Sequence, residues 1–405
     1  MIKRYFLNYK KRNFSTAAIW IKGGSDMDSF RKKGINRILC SLLTRGCQGF
    51  DNFDLSEYIE SYGAELNQEV FEDGIFISIK SLNEHFSKLL PLLELIINKP
   101  ILSEIEFQKV KKSSIDLIKR DKENPFNICF EKWRKIVYSR HPYAFNIVGN
   151  VNDVSNISYA DILCEFENFK ERDKYIISNN SEVNGENLDR LDQKSLRDRS
   201  DTISNVLDNT NRFTYFNNNS NQTIIMLGNQ TCSRKSSEYL PLKVLESYLS
   251  YGMSSALFKL FREKNGITYD LGVFNPLRRG NAPFLVYLSV SNKNALFAFQ
   301  LLSSLWQSLL LNPLVDSEIF LAKEKLKGSF LFSNQSLDEI LQRNIQLISY
   351  GIVPISESEL NLKIDNITSV DIFKLTNKYF AKPFLSISGN KEICLEVNAS
   401  WEKNF

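Results

Sequence analysis

Two stretches of this chain hold residue types and spacings that could do chemistry. In the second half, Gly252-Met253-Ser254-Ser255 leads through Leu257, Phe258 and Phe261 to Arg262, then past Gly266 to Tyr269. Ser254 suits a helix N-cap and Gly266 a helix stop, so the spacing predicts a short helix with Leu257, Phe258 and Phe261 as its buried stripe. Arg262 then lies at the helix end and Tyr269 at the start of the next strand. A guanidinium and a phenol are donors suited to charge developing on a carbonyl oxygen. The same positions equally allow Arg262 to cap its helix and Tyr269 to pack beneath it. The other stretch runs from Lys33 to Gly46. Ile35, Ile38, Leu39, Leu42 and Leu43 fall at helical spacing and predict a core-facing stripe. Arg37, Cys40 and Ser41, spaced i, i+3, i+4, share the other face.

The elements around these stretches predict an α+β chain built twice. In the first half, Ala17–Ile21 reads as a strand entering Gly23-Gly24-Ser25, and Asp51 or Asn52 caps a helix that stops at Gly63. Glu65–Phe71 and Ile75–Ile79 flank Glu72-Asp73-Gly74 as a hairpin. Ser103 with Glu106 reads as a capping box opening a helix that ends near Asn124-Pro125. Pro91 interrupts the apolar pattern of Phe86–Ile97. In the second half, strands at Tyr269–Phe274 and Phe284–Val290 precede helices near Lys293–Leu311, Ser317–Phe332, Leu337–Tyr350 and Ser369–Phe380. Asn98–Ile105 resembles Asn312–Ile319, Val154–Ile162 resembles Ile364–Ile372, and Tyr175–Ser178 resembles Leu385–Ser388. These pairs keep a spacing of about 210 residues, the mark of duplication. Residues 181–211, rich in Asn, Ser, Asp and Arg, read as a polar linker between one domain at 1–180 and another at 212–405.

Composition narrows the class. The 405 residues are 43% hydrophobic and 12% aromatic, enough to build real cores. A net charge of +4 with both signs interspersed argues against a nucleic-acid binder, which concentrates its basic residues. Cys40, Cys47, Cys129, Cys164, Cys232 and Cys394 are scattered and read as reduced, mostly buried thiols. Met1–Ser15 lacks the apolar core and cleavage site of a secretory signal. Leu296–Val315, broken by Gln300, Gln307 and Asn312, predicts an amphipathic or buried helix rather than a membrane span. A cytoplasmic setting is the expectation.

The second-half segment closely resembles the C-terminal signature of the pitrilysin/insulinase family of zinc peptidases, Gly-Met-Ser-Ser-x-Leu-Phe followed by Arg-Glu-Lys-x-Gly-x-x-Tyr. Tyr138-Ser139-Arg140-His141-Pro142-Tyr143 with Gly149 also resembles a family segment, in which His141 is structural. Gly23-Gly24-Ser25 is similar to the residues before the family's zinc helix. The resemblance runs from about Ala17 to Gly389 and implies two homologous domains of the LuxS/processing-peptidase-like metallohydrolase fold. In that family the helix matching Lys33–Gly46 carries His-x-x-Glu-His. Here the positions are Arg37, Cys40 and Ser41, and the family's later glutamate ligand falls near Leu117, beside Asp116. Zinc hydrolysis needs three protein ligands and a base, and this set offers at best one thiolate. A Cys40 or Cys47 nucleophile with His141 has no support in the spacing.

The resemblance implies a division of labour. Two-domain members of the family work as dimers, and in some pairs one chain keeps the zinc motif while the other keeps the Arg/Tyr pair. In the family that pair binds the substrate backbone and holds the oxyanion across a clam-shaped chamber. Arg262 and Tyr269 match it. The expectation is a non-catalytic, substrate-positioning subunit of a heterodimeric zinc peptidase, with no cofactor of its own and zinc supplied by a paralogous partner. The substrates would be extended peptides, bound by strand addition. The other reading is an inert peptide-binding or scaffold protein of the same fold. No nucleic-acid or membrane partner is expected.

Overall fold

The computed structural model describes residues 2–7, 13–188, 191 and 211–405. Most of the expected 181–211 linker lies outside the described residues. Its first residues form a 3-10 turn at Ser181–Val183 and a short strand at Glu186–Asn187.

The strands are β1 (Ile2–Phe6), β2 (Phe14–Lys22), β3 (Glu65–Val70), β4 (Gly74–Leu82), β5 (Lys174–Ser178), β6 (Glu186–Asn187), β7 (Phe213–Asn217), β8 (Gln222–Gln230), β9 (Thr268–Phe274), β10 (Pro283–Ser291) and β11 (Phe384–Gly389). The helices are α1 (Ile35–Leu43), α2 (Asn52–Ser61), α3 (Asn83–Asn98), α4 (Glu104–Asp121), α5 (Pro125–Tyr138), α6 (Val151–Asn156), α7 (Tyr159–Lys170), α8 (Tyr239–Ser250), α9 (Ala295–Leu311), α10 (Asp316–Ser333), α11 (Leu337–Ser349), α12 (Glu357–Asp365), α13 (Ser369–Tyr379) and α14 (Lys391–Asn404).

The chain divides into two compact units whose segments alternate along the sequence. The first contains the chain up to Arg120, the stretch from Phe145 onward that carries α6, α7 and β5, and Ser333–Pro354. The second contains Asp121–Ala144, the stretch carrying β7 to α10, and Ile355–Phe405. So α5, from the first half of the chain, belongs to the second unit, and α11, from the second half, to the first.

In the first unit the sheet order is β3-β4-β2-β5-β1-β6. In β2, Ser15 to Ile21 are all buried, because helices cover the sheet and leave no polar face. The core gathers Ile19, Ile38, Leu39, Leu42, Phe86, Phe107 and Phe169. α3 runs through Pro91 without a break between Asn83 and Asn98. Glu106 pairs with Arg45 at 2.7 Å and Lys109 at 2.6 Å, salt bridges rather than the capping box expected of it. From α11, Asp338 accepts a bond from Thr16 of β2 at 3.2 Å. Just beyond that helix, Tyr350 donates to Asp73 at 3.0 Å.

In the second unit the order is β7-β11-β8-β10-β9, the same succession with β9, β10, β8, β11 and β7 in the places of β3, β4, β2, β5 and β1. β5 runs parallel to β1 and antiparallel to β2, and β11 runs parallel to β7 and antiparallel to β8. The duplication extends to helix starts. Ser158 with Asp161 and Thr368 with Asp371 both make complete capping boxes, opening α7 and α13. α5 sits on this sheet: Ser386 donates to the Cys129 carbonyl at 2.9 Å and Trp133 Nε1 to the Phe384 carbonyl at 3.2 Å. Asn292–Leu311 is long and apolar enough to cross a membrane by length and composition. Within it, Phe299, Leu302 and Trp306 of α9 lie in the core of this unit, and Trp306 stacks on Phe380 at 4.3 Å.

Candidate functional site

The segment from Gly252 to Tyr269 belongs to the second unit. Gly252 and Gly266 both take the left-handed region, φ 73° and 59°, where glycine carries no Cβ penalty. Between them the expected α-helix is instead a π-helical turn over Phe258–Glu263. Ser254 does not cap it; the first turn closes through Lys259 N–H on the Ser255 carbonyl at 3.0 Å. Its widening is seen in the i→i+5 bond from Lys264 N–H to the Lys259 carbonyl, 3.0 Å. Single π turns are uncommon and recur at functional sites. Leu257 and Phe261 are fully buried and anchor the turn, while Phe258, the third residue of the predicted stripe, is only half-buried.

The end of this turn is already capped. The carbonyls of Lys259, Leu260 and Phe261 receive Lys264 N–H, the Asn265 side-chain amide at 2.8 Å, and Ile267 N–H at 3.0 Å. Arg262 is therefore not needed as a cap. It is exposed, and its guanidinium lies 5.5 Å from the centre of the Phe258 ring. Among the described residues it has no hydrogen-bond or ion-pair partner. Tyr269 stands on β9, the edge strand of its sheet, and is 63% exposed rather than packed beneath the turn. Its hydroxyl also has no partner among the described residues. One short segment thus presents a guanidinium and a phenol with donors unspent beside an open sheet edge.

The first stretch looks different. α1 buries seven of its nine residues, Cys40 among them, leaving Arg37 and Ser41 half-exposed. Cys40, on the face that also carries Arg37 and Ser41, is fully buried, with its Sγ 3.8 Å from Gln68 Oε1 of β3. Burial pushes its thiol up to about 12, so it stays neutral, neither thiolate ligand nor nucleophile. Arg37 Nη1 donates to Ser41 Oγ at 2.6 Å, so the two outer positions of the family motif bind each other. Leu117 is half-buried on α4 and Asp116 is exposed. A guanidinium, a neutral thiol, a hydroxyl and an isobutyl group do not fit zinc. Among the described residues, no cluster of three His, Cys, Asp or Glu side chains could hold a metal ion.

What fixes α1 is a buried polar hub that the sequence reading did not find. Gly34 at its N-terminus has φ 97°, and a Cβ there would meet the Val148 carbonyl at 2.6 Å. Asp28 accepts from Gly34 N–H at 2.7 Å, Asn36 N–H at 3.2 Å and the Asn36 amide at 2.8 Å. Its carboxylate stands in for a helix N-cap. Burial raises the Asp28 pKa to about 6 despite those bonds and nearby Lys33. Arg172, paired with Glu165, donates to Asn36 Oδ1 at 2.8 Å. An Asp eight residues before the Asn it binds has no periodic signature.

His141 plays a local structural part: its Nδ1 accepts from Tyr143 N–H at 3.1 Å. Tyr138 and Tyr143 anchor the end of α5 in the second unit, through the Asn281 carbonyl at 3.0 Å and Gly280 N–H at 3.1 Å.

These two sites sit on a fold already known in solved proteins. Residues 5–150 match the insulinase (peptidase family M16) model and residues 181–326 the model of the peptidase M16 inactive domain. The chain belongs to the insulinase family of peptidases. It is similar to an uncharacterized zinc protease of Rickettsia felis, 22% identical over 369 residues that cover 89% of this chain and 88% of that one. It is also similar to the mitochondrial-processing peptidase subunit beta of Saccharomyces cerevisiae, 22% identical over 184 residues, 44% of this chain and 39% of that one. A peptidase M16 inactive domain from Pseudomonas fluorescens superposes with a TM-score of 0.81 at 18% identity, over 96% of this chain and 95% of that one. Relatives are named zinc proteases, while the residues of this chain's own motif positions do not fit the metal.

Proposed function

We propose that this chain is the non-catalytic, substrate-positioning subunit of a heterodimeric zinc peptidase. It contributes Arg262 and Tyr269 to an active site whose zinc and general base come from a paralogous partner, in a cytoplasmic setting. The observation that carries the reading is the unspent pair of donors. The end of the π turn is capped by other groups. Arg262 and Tyr269 have no partner among the described residues. Exposed donors on anchored backbone are what a site needs to hold a developing oxyanion without reorganising. Donors left over from a lost function carry no such constraint on their presentation. The substrate class is an extended peptide, whose backbone can add to an exposed sheet edge.

The inactive-type domain match and the motif positions agree with a peptidase homologue that does not cut by itself. The test is to purify the chain with a zinc-bearing paralogue and follow cleavage of a quenched fluorescent peptide. The chain alone should be inert, the pair active, and Arg262→Ala with Tyr269→Phe should abolish the pair's activity while the complex still forms. Undiminished cleavage by that double variant would refute the role.

A further inference from the structure

We propose that Phe258 is the positioning residue for Arg262, an aromatic platform that orients the guanidinium while leaving its N–H donors free for a peptide carbonyl or oxyanion. The inference rests on the substrate-binding role given above to Arg262. An exposed arginine on a surface turn normally samples many rotamers, and fixing it costs side-chain entropy. Carboxylate partners would fix it, but they occupy its donors. Neighbouring Glu263 makes no ion pair with it among the described residues. What Arg262 does have is the Phe258 ring, four residues earlier, at 5.5 Å from Cζ. A ring face attracts the cation through its quadrupole and spends none of its five N–H groups.

The backbone supports the same assignment. Leu257 and Phe261 fix the turn in the core, and the residues that follow each of them, Phe258 and Arg262, are directed outward. Phe258 is only half-buried, on the outward side of the turn. Its ring lies against the guanidinium of Arg262. Lys259 and Lys264, equally exposed on the same turn, have no such ring beneath them among the described residues.

Two variants separate the platform from simple bulk. Phe258→Leu keeps apolar volume and removes the quadrupole; Phe258→Trp keeps and strengthens it. In the chain alone, the Arg262 Nε–H resonance, assigned by its loss in Arg262→Ala, should show a ring-current shift that disappears in Phe258→Leu and persists in Phe258→Trp. In the assembled peptidase, Phe258→Leu should lower kcat/KM about two- to thirty-fold, the span of exposed to desolvated cation–π contacts, while Phe258→Trp stays at or above the parent value. An unshifted Arg262 resonance in the parent chain overturns the inference. So does Phe258→Leu cleaving as well as the parent in an assembly that Arg262→Ala impairs. If Arg262→Ala is itself without effect, the subunit's proposed role fails, and the resonance alone decides whether the platform exists.

Discussion

The helix α1 and the π turn at Phe258–Glu263 make an instructive pair. Each presents an arginine at the surface of its unit, and the two arginines are in opposite states. Arg37 is hydrogen-bonded to Ser41 one turn away on its own helix, over a buried, neutral Cys40. Arg262 leans on an aromatic ring and keeps its donors. Where zinc ligands would stand, the side chains have satisfied each other and the helix has become part of the core. Where substrate donors would stand, backbone amides and Asn265 have taken over the capping and left the side chains unspent. A motif that has lost its ligands can still be kept by packing. On the role proposed for Arg262 and Tyr269, a motif kept for donation leaves its donors unpaired.

The largest expected effect breaks this contrast on the donor side. Arg262→Ala in the assembled peptidase should cost about 100- to 1,000-fold in kcat, the scale for removing one oxyanion donor, with thermal stability unchanged. The equivalent Arg37→Ala should leave cleavage within about two-fold, since that arginine is already spent within its own helix. Comparing the two in one peptide assay is the direct test, and equal losses would erase the distinction.

The next effect concerns the closed site. Cys40→Glu restores the family's glutamate on paper but places a carboxylate at a fully buried position. It should destabilise the chain by about 3 kcal/mol or more in urea unfolding and bring no bound zinc by elemental analysis. Stoichiometric zinc in that variant would show the site to be more open than its packing indicates.

Asp28 gives a pH signature to the same helix. Its folded pKa is raised, from 3.8 to about 6, so the native state holds this proton more tightly than the unfolded chain does. The stability it contributes is full below about pH 4 and is lost as pH rises through about 6. Relative to Asp28→Asn, the parent protein should gain about 1 kcal/mol on going from pH 7 to pH 5. Melting both proteins at the two pH values checks the sign. The smallest effect is Ser41→Ala, which frees Arg37 at a cost of about 0.5–1 kcal/mol in chemical unfolding.

Much of the fold was legible in the sequence because its signals are local. Strand patterns at Ala17–Ile21 and Phe284–Val290 fall within β2 and β10, and the helices near Leu337–Tyr350 and Ser369–Phe380 are α11 and α13. The repeated segments Val154–Ile162 and Ile364–Ile372 hold equivalent helix starts, each with a complete capping box. Two of the segments that escaped have weak local cues. β7 carries Asn and Thr among its aromatics, and α8 has a proline within its first turn. Of the candidate site, the residue types and their order were readable. The π turn was not, because Phe258–Glu263 has the composition of an ordinary α-helix.

The sequence by itself determined the duplicated α+β architecture, the family, and the chemistry its motif positions can and cannot do. These follow from side-chain identity and from periodicities a few residues long. Tertiary structure alone decided that α5 joins the second unit and α11 the first, because which sheet a helix covers depends on contacts hundreds of residues apart. It also decided that Cys40 is sealed in the core, that Asp28 holds the start of α1, and that Arg262 and Tyr269 stand with their donors free among the described residues. Burial and hydrogen-bond satisfaction belong to the folded neighbourhood of a residue, and no spacing along the chain specifies them.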